Sequence, residues 1–265
     1  MSPDRPSTEE VRMLLQAVVI AIVAALAAIA VFGGLGRLRP EGWRQKEDEA
    51  AGTLVTDVIK TMFAFVFAFV VVTGMQHYND ARENTTKEAS ELMQVYWAAH
   101  GMPDPEHREI QGLVREYTSA VVNEEWRAMS DRRMSPRATA TLDRLRDRLQ
   151  QIEPRGDKMA RMHDSALTSA RNVSEARRLR ALHAEQGLPG FLWIGLLVGA
   201  VLMICAPLLA GVQVTVRSVA MVGLLGAFVA LAMFLIWNLN YPFGGGISVA
   251  PDAFRLITTR FSQVS

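Results

Sequence analysis

Apolar positions in this chain are gathered into blocks. Residues 13–35 hold one polar side chain, Gln16. Residues 191–212 hold no charge and no amide, and 219–237 are uninterruptedly apolar. A bilayer core about 30 Å thick is crossed by roughly 20 helical residues, so each block is long enough to span. Backbone polar groups in lipid must be satisfied within the segment, so each block is expected to be a helix. A fourth block, "LVTDVIKTMFAFVFAFVVVTGM" at 54–75, carries Asp57 and Lys60 near its start. Lys60 can reach the interface along its aliphatic stem, so this block also reads as a span.

The stretch between the second and third spans has a different period. "DPEHREIQGLVREYTSAVVNEEW" offers Asp104 as a helix cap and Pro105 as the first helical residue, then sets Ile110, Leu113, Val114, Tyr117 and Val121 on one face. "SPRATATLDRLRDRLQQI" repeats the start signal at Ser135–Pro136 and aligns Leu142, Leu145, Leu149 and Ile152. From Asp157 to about Glu185 a long helix is expected, with Met159, Met162, Ala166, Ala170, Val173 and Leu182 along one side. Each helix has one apolar stripe and one charged face, so it packs on its neighbours, on a second copy or on the membrane. "GLPG" at 187–190 ends the insert.

The fold class expected is therefore all-α: a polytopic membrane protein of four transmembrane helices with a long helical insert between the second and third. The divisions are an N-terminal segment 1–12, spans at 13–35 and 54–78 joined by an external loop 36–53, the insert 79–190, spans at 191–212 and 218–239, and a Pro/Gly turn with an amphipathic tail at 240–265. The leader "MSPDRPSTEEVR" has three acids against two arginines, and the run after it exceeds the roughly 7–15 apolar residues of a signal peptide, so the first block reads as a retained span. Lys and Arg near the membrane ends set orientation. Ten such residues (Arg5, Arg12, Arg82, Lys87, Arg171, Arg177, Arg178, Arg180, Arg255, Arg260) lie on the side of the insert, against five (Arg37, Arg39, Arg44, Lys46, Arg217) on the other. Insert and both termini are expected in the cytoplasm, with the spans in the plasma membrane.

Charge removes several function classes. The net charge of +1 and the absence of a basic stripe argue against nucleic acid. The insert balances 18 Lys and Arg against 18 Asp and Glu. One cysteine, Cys205 in an apolar block, excludes an intrachain disulfide and reads as packing. No nucleophile elbow, His-Glu-x-x-His, phosphate loop or Cys-x-x-Cys is present, and the five histidines never fall three or four apart. No enzyme, cofactor or metal is expected.

What chemistry the sequence offers lies in the spans. Asp57 and Lys60 share a helix face, either as an interfacial pair easing entry into lipid or as the charged mouth of a pore. Four phenylalanines fall in seven residues, Phe63 and Phe67 on one helix face and Phe65 and Phe69 on another, and they are either packing residues or a hydrophobic constriction that gates by excluding water. Gly195 and Gly199 have the spacing that lets helices approach closely in lipid, and Pro207 removes a backbone donor from the same helix. Beyond the fourth span, Asn238 and Asn240 end the helix, Trp237 and Tyr241 suit the membrane interface, and Pro242 forbids continuation. Glycines 244–246 permit a sharp turn, before a short tail helix with Phe254, Ile257 and Phe261 on one side.

The order of these features, with "FAFVFAFVVVTGMQHYNDA" leading into "EASEL", then "REYTSAVVNEEW", a Pro-Phe-Gly turn and "SVAPDAF", resembles the bestrophin-like membrane proteins of bacteria. The resemblance covers nearly the whole chain and rests on Tyr117, Glu125–Trp126, Pro242–Phe243, Pro251 and Phe254. Bestrophins are pentameric anion channels in animals, with cation-conducting bacterial relatives. The resemblance implies a homo-oligomeric pore for small inorganic ions, a neck drawn from Phe63, Phe67 and Val70 on the second span, and a turn at Pro242, Phe243 and Gly244. Where that family has an acidic calcium clasp, this chain reads "GGISVAP" with only Asp252 nearby, and calcium needs several carboxylate oxygens. Calcium gating is not implied. The rival reading is a non-conducting helical scaffold whose insert docks a protein partner. A secondary transporter has less to build on, with four spans and no inverted repeat.

Overall fold

The computed structural model describes residues 8–37, 48–209, 212, 214–244 and 246–263. The leader before residue 8, most of the first loop with Arg39, Arg44 and Lys46, and Gly245 of the triple glycine lie outside the described residues. Among those described there is no strand. The helices are α1 (Thr8–Arg37), α2 (Asp48–His100), α3 (Glu106–Ala120), α4 (Trp126–Ser130), α5 (Pro136–Gln150), α6 (Asp157–Glu185), α7 (Gly190–Leu209), α8 (Val216–Leu239) and α9 (Asp252–Phe261). A π-helical turn, Val121–Glu125, joins α3 to α4. Among the described residues, four helices are long and apolar enough to cross a membrane. The chain divides into two units: residues 1–75 with 188–240, and residues 76–187 with 241–265.

In the first unit α1 packs along α8. Their approach is close because Gly226 has no side chain: a Cβ there would stand 2.6 Å from that of Ala28 and 3.1 Å from the Ala24 carbonyl oxygen. Gly223 faces Ile29 in the same way. The apolar run of α2 packs on α7 and α8. Val70 is buried with Leu192, Leu196 and Ile236, and Phe63 with Ala200 and Val229. The Thr56 hydroxyl donates to the Ala206 carbonyl at 3.1 Å, fixing α2 against α7. α8 begins with a reciprocal cap between Thr215 and Ser218.

The second unit is a helical bundle with one main core, built from Leu92, Val95 and Tyr96 of α2, Ile110, Val114 and Tyr117 of α3, Leu142, Leu145 and Leu149 of α5, and Ala166, Ala170 and Val173 of α6. Phe254, Ile257 and Phe261 of α9 complete it. Ser135 caps α5 by accepting the Ala138 N–H at 3.3 Å. The expected cap at Asp104 is different: α3 starts at Glu106 after a cis Asp104–Pro105 bond, and the Asp104 carboxylate pairs with Arg108 at 3.1 Å. On α6, Leu182 is only half-buried, whereas Ala176, Arg180 and Ala184 continue the buried stripe. The helix turns that stripe gradually, because 3.6 residues per turn do not repeat in whole steps.

Candidate functional site

Two arrangements stand out, one in each unit. In the first unit, the apolar run of α2 presents two faces of opposite fate. Phe63 and Val70 are buried, and Phe67 is packed against the Val70 cluster. The Phe63 and Phe67 rings lie 6.3 Å apart. Gly199 of α7 makes room for Phe63, since a Cβ at that glycine would stand 2.8 Å from the ring. Gly195 has no neighbour within 4 Å of where its Cβ would lie. On the other face Val58, Met62, Phe65, Phe69 and Val72 follow one another at helical spacing, and all five are exposed. Phe65 is 69% exposed. Asp57 and Lys60 form an ion pair of 3.2 Å with both side chains exposed. The residues proposed from sequence as a constriction thus face α7 and α8 of their own chain, while the aromatic positions between them face outward.

In the second unit, the buried side chain that organises its surroundings is Arg180. Its Nε and Nη2 donate to Oε2 and Oε1 of Glu88 at 2.7 and 2.9 Å, a two-pronged contact. Nη2 also donates to Glu125 Oε1 at 2.7 Å, and Nη1 reaches Met129 Sδ at 3.3 Å. All three charged groups are fully buried. Arg177 balances the second carboxylate, with Nη2 on Glu125 Oε2 at 2.6 Å. The Ser135 N–H donates to the same oxygen at 3.1 Å. Tyr117 donates its hydroxyl to Glu88 Oε1 at 2.6 Å. Two guanidinium groups thus meet two carboxylates, with a neutral phenol beside them.

Local structure explains this placement. The π-helical turn at 121–125 brings Glu125 inward and leaves Glu124 to pair outside with Arg137 at 2.7 Å. Trp126 follows, and the Arg180 guanidinium lies 5.5 Å from its ring and 5.6 Å from that of Phe254. The Trp126 indole donates to the Val249 carbonyl at 2.9 Å and meets Phe243 and Phe254 edge-on. Val249 N–H donates to the Pro242 carbonyl at 2.7 Å, closing the Pro242–Phe243–Gly244 turn. Gly244 lets the turn approach α4 closely, since a Cβ would stand 3.1 Å from the Ser130 carbonyl oxygen.

Electrostatics keep the cluster fixed. Burial alone would lower the pKa of Arg180, but Glu88 and Glu125 outweigh it and raise it above the ordinary value. Burial, followed by the charge of Glu88, pushes the Tyr117 phenol well above its usual range. Among the described residues, no group of three or more His, Cys, Asp and Glu could hold a metal ion.

Sequence reasoning singled out Tyr117, Glu125–Trp126, Pro242–Phe243 and Phe254 as landmarks, and the structure brings them together. It quoted Glu88 only as the start of "EASEL" and counted Arg177 and Arg180 only as membrane-flanking cations, so it missed the ion cluster they form with Glu125. The signal was present in α6: the stripe Ala166, Ala170, Val173 and Ala176 runs into Arg180 and resumes at Ala184, so a charge stands where the core expects a small apolar residue.

An all-helical chain with four helices able to cross a membrane, and a helical bundle inserted between the second and third, defines a polytopic membrane protein. A family model described as the Bestrophin-like domain matches residues 19–254, and the chain belongs to that family. Two mutant forms of a bacterial bestrophin homologue from Klebsiella pneumoniae share its fold. One is 13% identical with a TM-score of 0.61, covering 95% of this chain and 98% of its own. The other is 16% identical with a TM-score of 0.57, covering 96% and 99%. No curated protein matches the chain.

Proposed function

We propose that the protein is an oligomeric ion-conducting pore of the bacterial cytoplasmic membrane, with α2 at its axis and the insert on the cytoplasmic side. The family it belongs to includes ion channels. The observation that carries the reading to α2 is its unfilled face: Val58, Met62, Phe65, Phe69 and Val72 form one exposed apolar stripe on a helix whose opposite face is already packed. A residue that lines an axis between copies must be exposed in the single chain. We therefore place the constriction at Phe65, Phe69 and Val72 and give Phe63, Phe67 and Val70 a packing role. A ring of such side chains excludes water when narrow and admits it when widened. The exposed Asp57–Lys60 pair stands one to two turns before Phe65 and suits the mouth of the same path.

The test is single-channel recording of the purified protein in lipid bilayers. Phe65→Ala and Phe69→Ala are expected to raise unitary conductance or open probability. Phe63→Ala is expected to lower the melting midpoint and leave conductance unchanged. A strictly monomeric protein in mild detergent, or electrical silence from a well-reconstituted oligomer, would overturn the pore and leave the non-conducting scaffold.

A further inference from the structure

His77 of α2 and His183 of α6 meet edge-on, with ring centroids 5.3 Å apart. Each ring has its Nδ1 buried in the protein without a hydrogen-bond partner. Two orphaned polar atoms side by side are uncommon, because a buried donor or acceptor without a partner costs stability. In the neutral imidazole the orphan can be an unprotonated nitrogen, which needs no acceptor. Protonation changes both counts. The imidazolium carries N–H at both nitrogens, so the buried Nδ1 becomes a donor with nothing to receive it. The second proton also sets two positive rings in contact.

Other charges near the pair do little to relieve this. Asp80, one turn along α2 from His77, is the carboxylate whose charge acts on both rings. Arg180, one turn before His183 on α6, is already committed to Glu88 and Glu125. Arg132, from the segment after α4, is stacked on the Tyr241 ring at 4.0 Å. Around the pair, Tyr78, Ala81 and Ala184 belong to an otherwise apolar cluster with Met129, Phe243 and Val249. Burial holds the His183 imidazole below its ordinary pKa, against the pull of Asp80.

We infer that the His77–His183 contact is a proton-sensitive latch between α2 and α6, closed while both rings are neutral and opened locally by mild acid. Its opening loosens α2 just after its apolar run and α6 just before α7. The latch does not depend on whether the protein conducts.

Hydrogen exchange of the full-length protein in detergent, compared between pH 7.5 and 5.5 after correction for intrinsic rates, tests it. Amides flanking His77 and His183 are expected to lose protection by about tenfold or more, as local opening of these two helix segments requires. The rest of the bundle core should hold. His77→Phe and His183→Phe, which keep an apolar ring edge and remove the titration, should each abolish most of that loss. If a phenylalanine variant does not fold, ring-labelled histidines of the wild-type chain provide the second measurement: His183 should titrate below the ordinary imidazole value. Unchanged protection at both sites on acidification would overturn the latch, as would equal loss in wild type and variants, or a His183 ring that titrates at or above the ordinary imidazole value.

Discussion

Arg180 occupies a position that the stripe of α6 otherwise gives to alanine or valine. A single guanidinium serves two carboxylates and two aromatic rings there, and a lysine cannot, since its ammonium has no planar fork. Arg180→Lys is therefore expected to behave as a disruptive change. Arg180→Met leaves Glu88 buried without its guanidinium and Glu125 with Arg177 alone, and is expected to cost about 3–5 kcal/mol, read as a lowered melting midpoint in detergent. A triple change of Arg180, Glu88 and Glu125 to apolar residues of similar volume should recover part of that loss, because the desolvation penalty leaves with the charges. Tyr117 gives a second readout. Its phenol has a raised pKa in the folded chain, so the unfolded chain loses this proton first as pH rises. Its contribution to stability is complete below the ordinary phenol range near about 10 and is lost above it. Ultraviolet titration of the wild type against Tyr117→Phe should show one tyrosine that ionises only as the protein unfolds.

Among the elements, the partners were harder to read than the helices. Block length and apolar period exposed the four spans, and the Ser135–Pro136 start of α5 was legible because capping is local chemistry. Which face of a span meets which neighbour is not local. Gly195 and Gly199 are spaced for close approach, yet within the chain only Gly199 faces a neighbour, the Phe63 ring. Among the described glycines of the four spans, the tightest contact is instead Gly226 of α8 on α1. Gly226→Val is accordingly expected to separate α1 from α8 and lower the thermal midpoint sharply, whereas Gly195→Val should leave it nearly unchanged. Likewise, four phenylalanines in seven residues announced an unusual helix, but only the packing of α7 and α8 distinguishes the covered pair from the uncovered one. Phe254→Ala tests α9 in the same way. Truncating a fully buried aromatic typically costs about 3–5 kcal/mol, and here it also removes one ring beside Arg180.

For the molecule as a whole, the insert is not a self-sufficient domain in sequence order. Its core takes Phe254, Ile257 and Phe261 from beyond the last span, and its Trp126 bonds to Val249. A polypeptide limited to residues 76–187 is expected to be unstable and to bind apolar dyes. A synthetic peptide of residues 241–265 added to it should restore helicity, measured by circular dichroism. No restoration by the peptide would show that the tail is dispensable. The apolar spacing of Phe254, Ile257 and Phe261 was visible in the sequence. That their groove lies in the insert was not, because nothing in a ten-residue stripe says which groove it fills.

That tail also sets an order in time. A ribosome that has just finished α6 has still to make roughly 70 residues, including two membrane helices, before Phe254 exists. At about 5–20 residues per second this leaves an interval on the order of 3–14 s in which the bundle lacks its closing helix. During that interval the groove for α9 is open and Trp126 lacks its Phe254 neighbour. Chaperone capture and proteolysis should therefore concentrate on nascent chains of this length, and substitutions in α9 should lower yield during synthesis more than they lower the stability of molecules already finished.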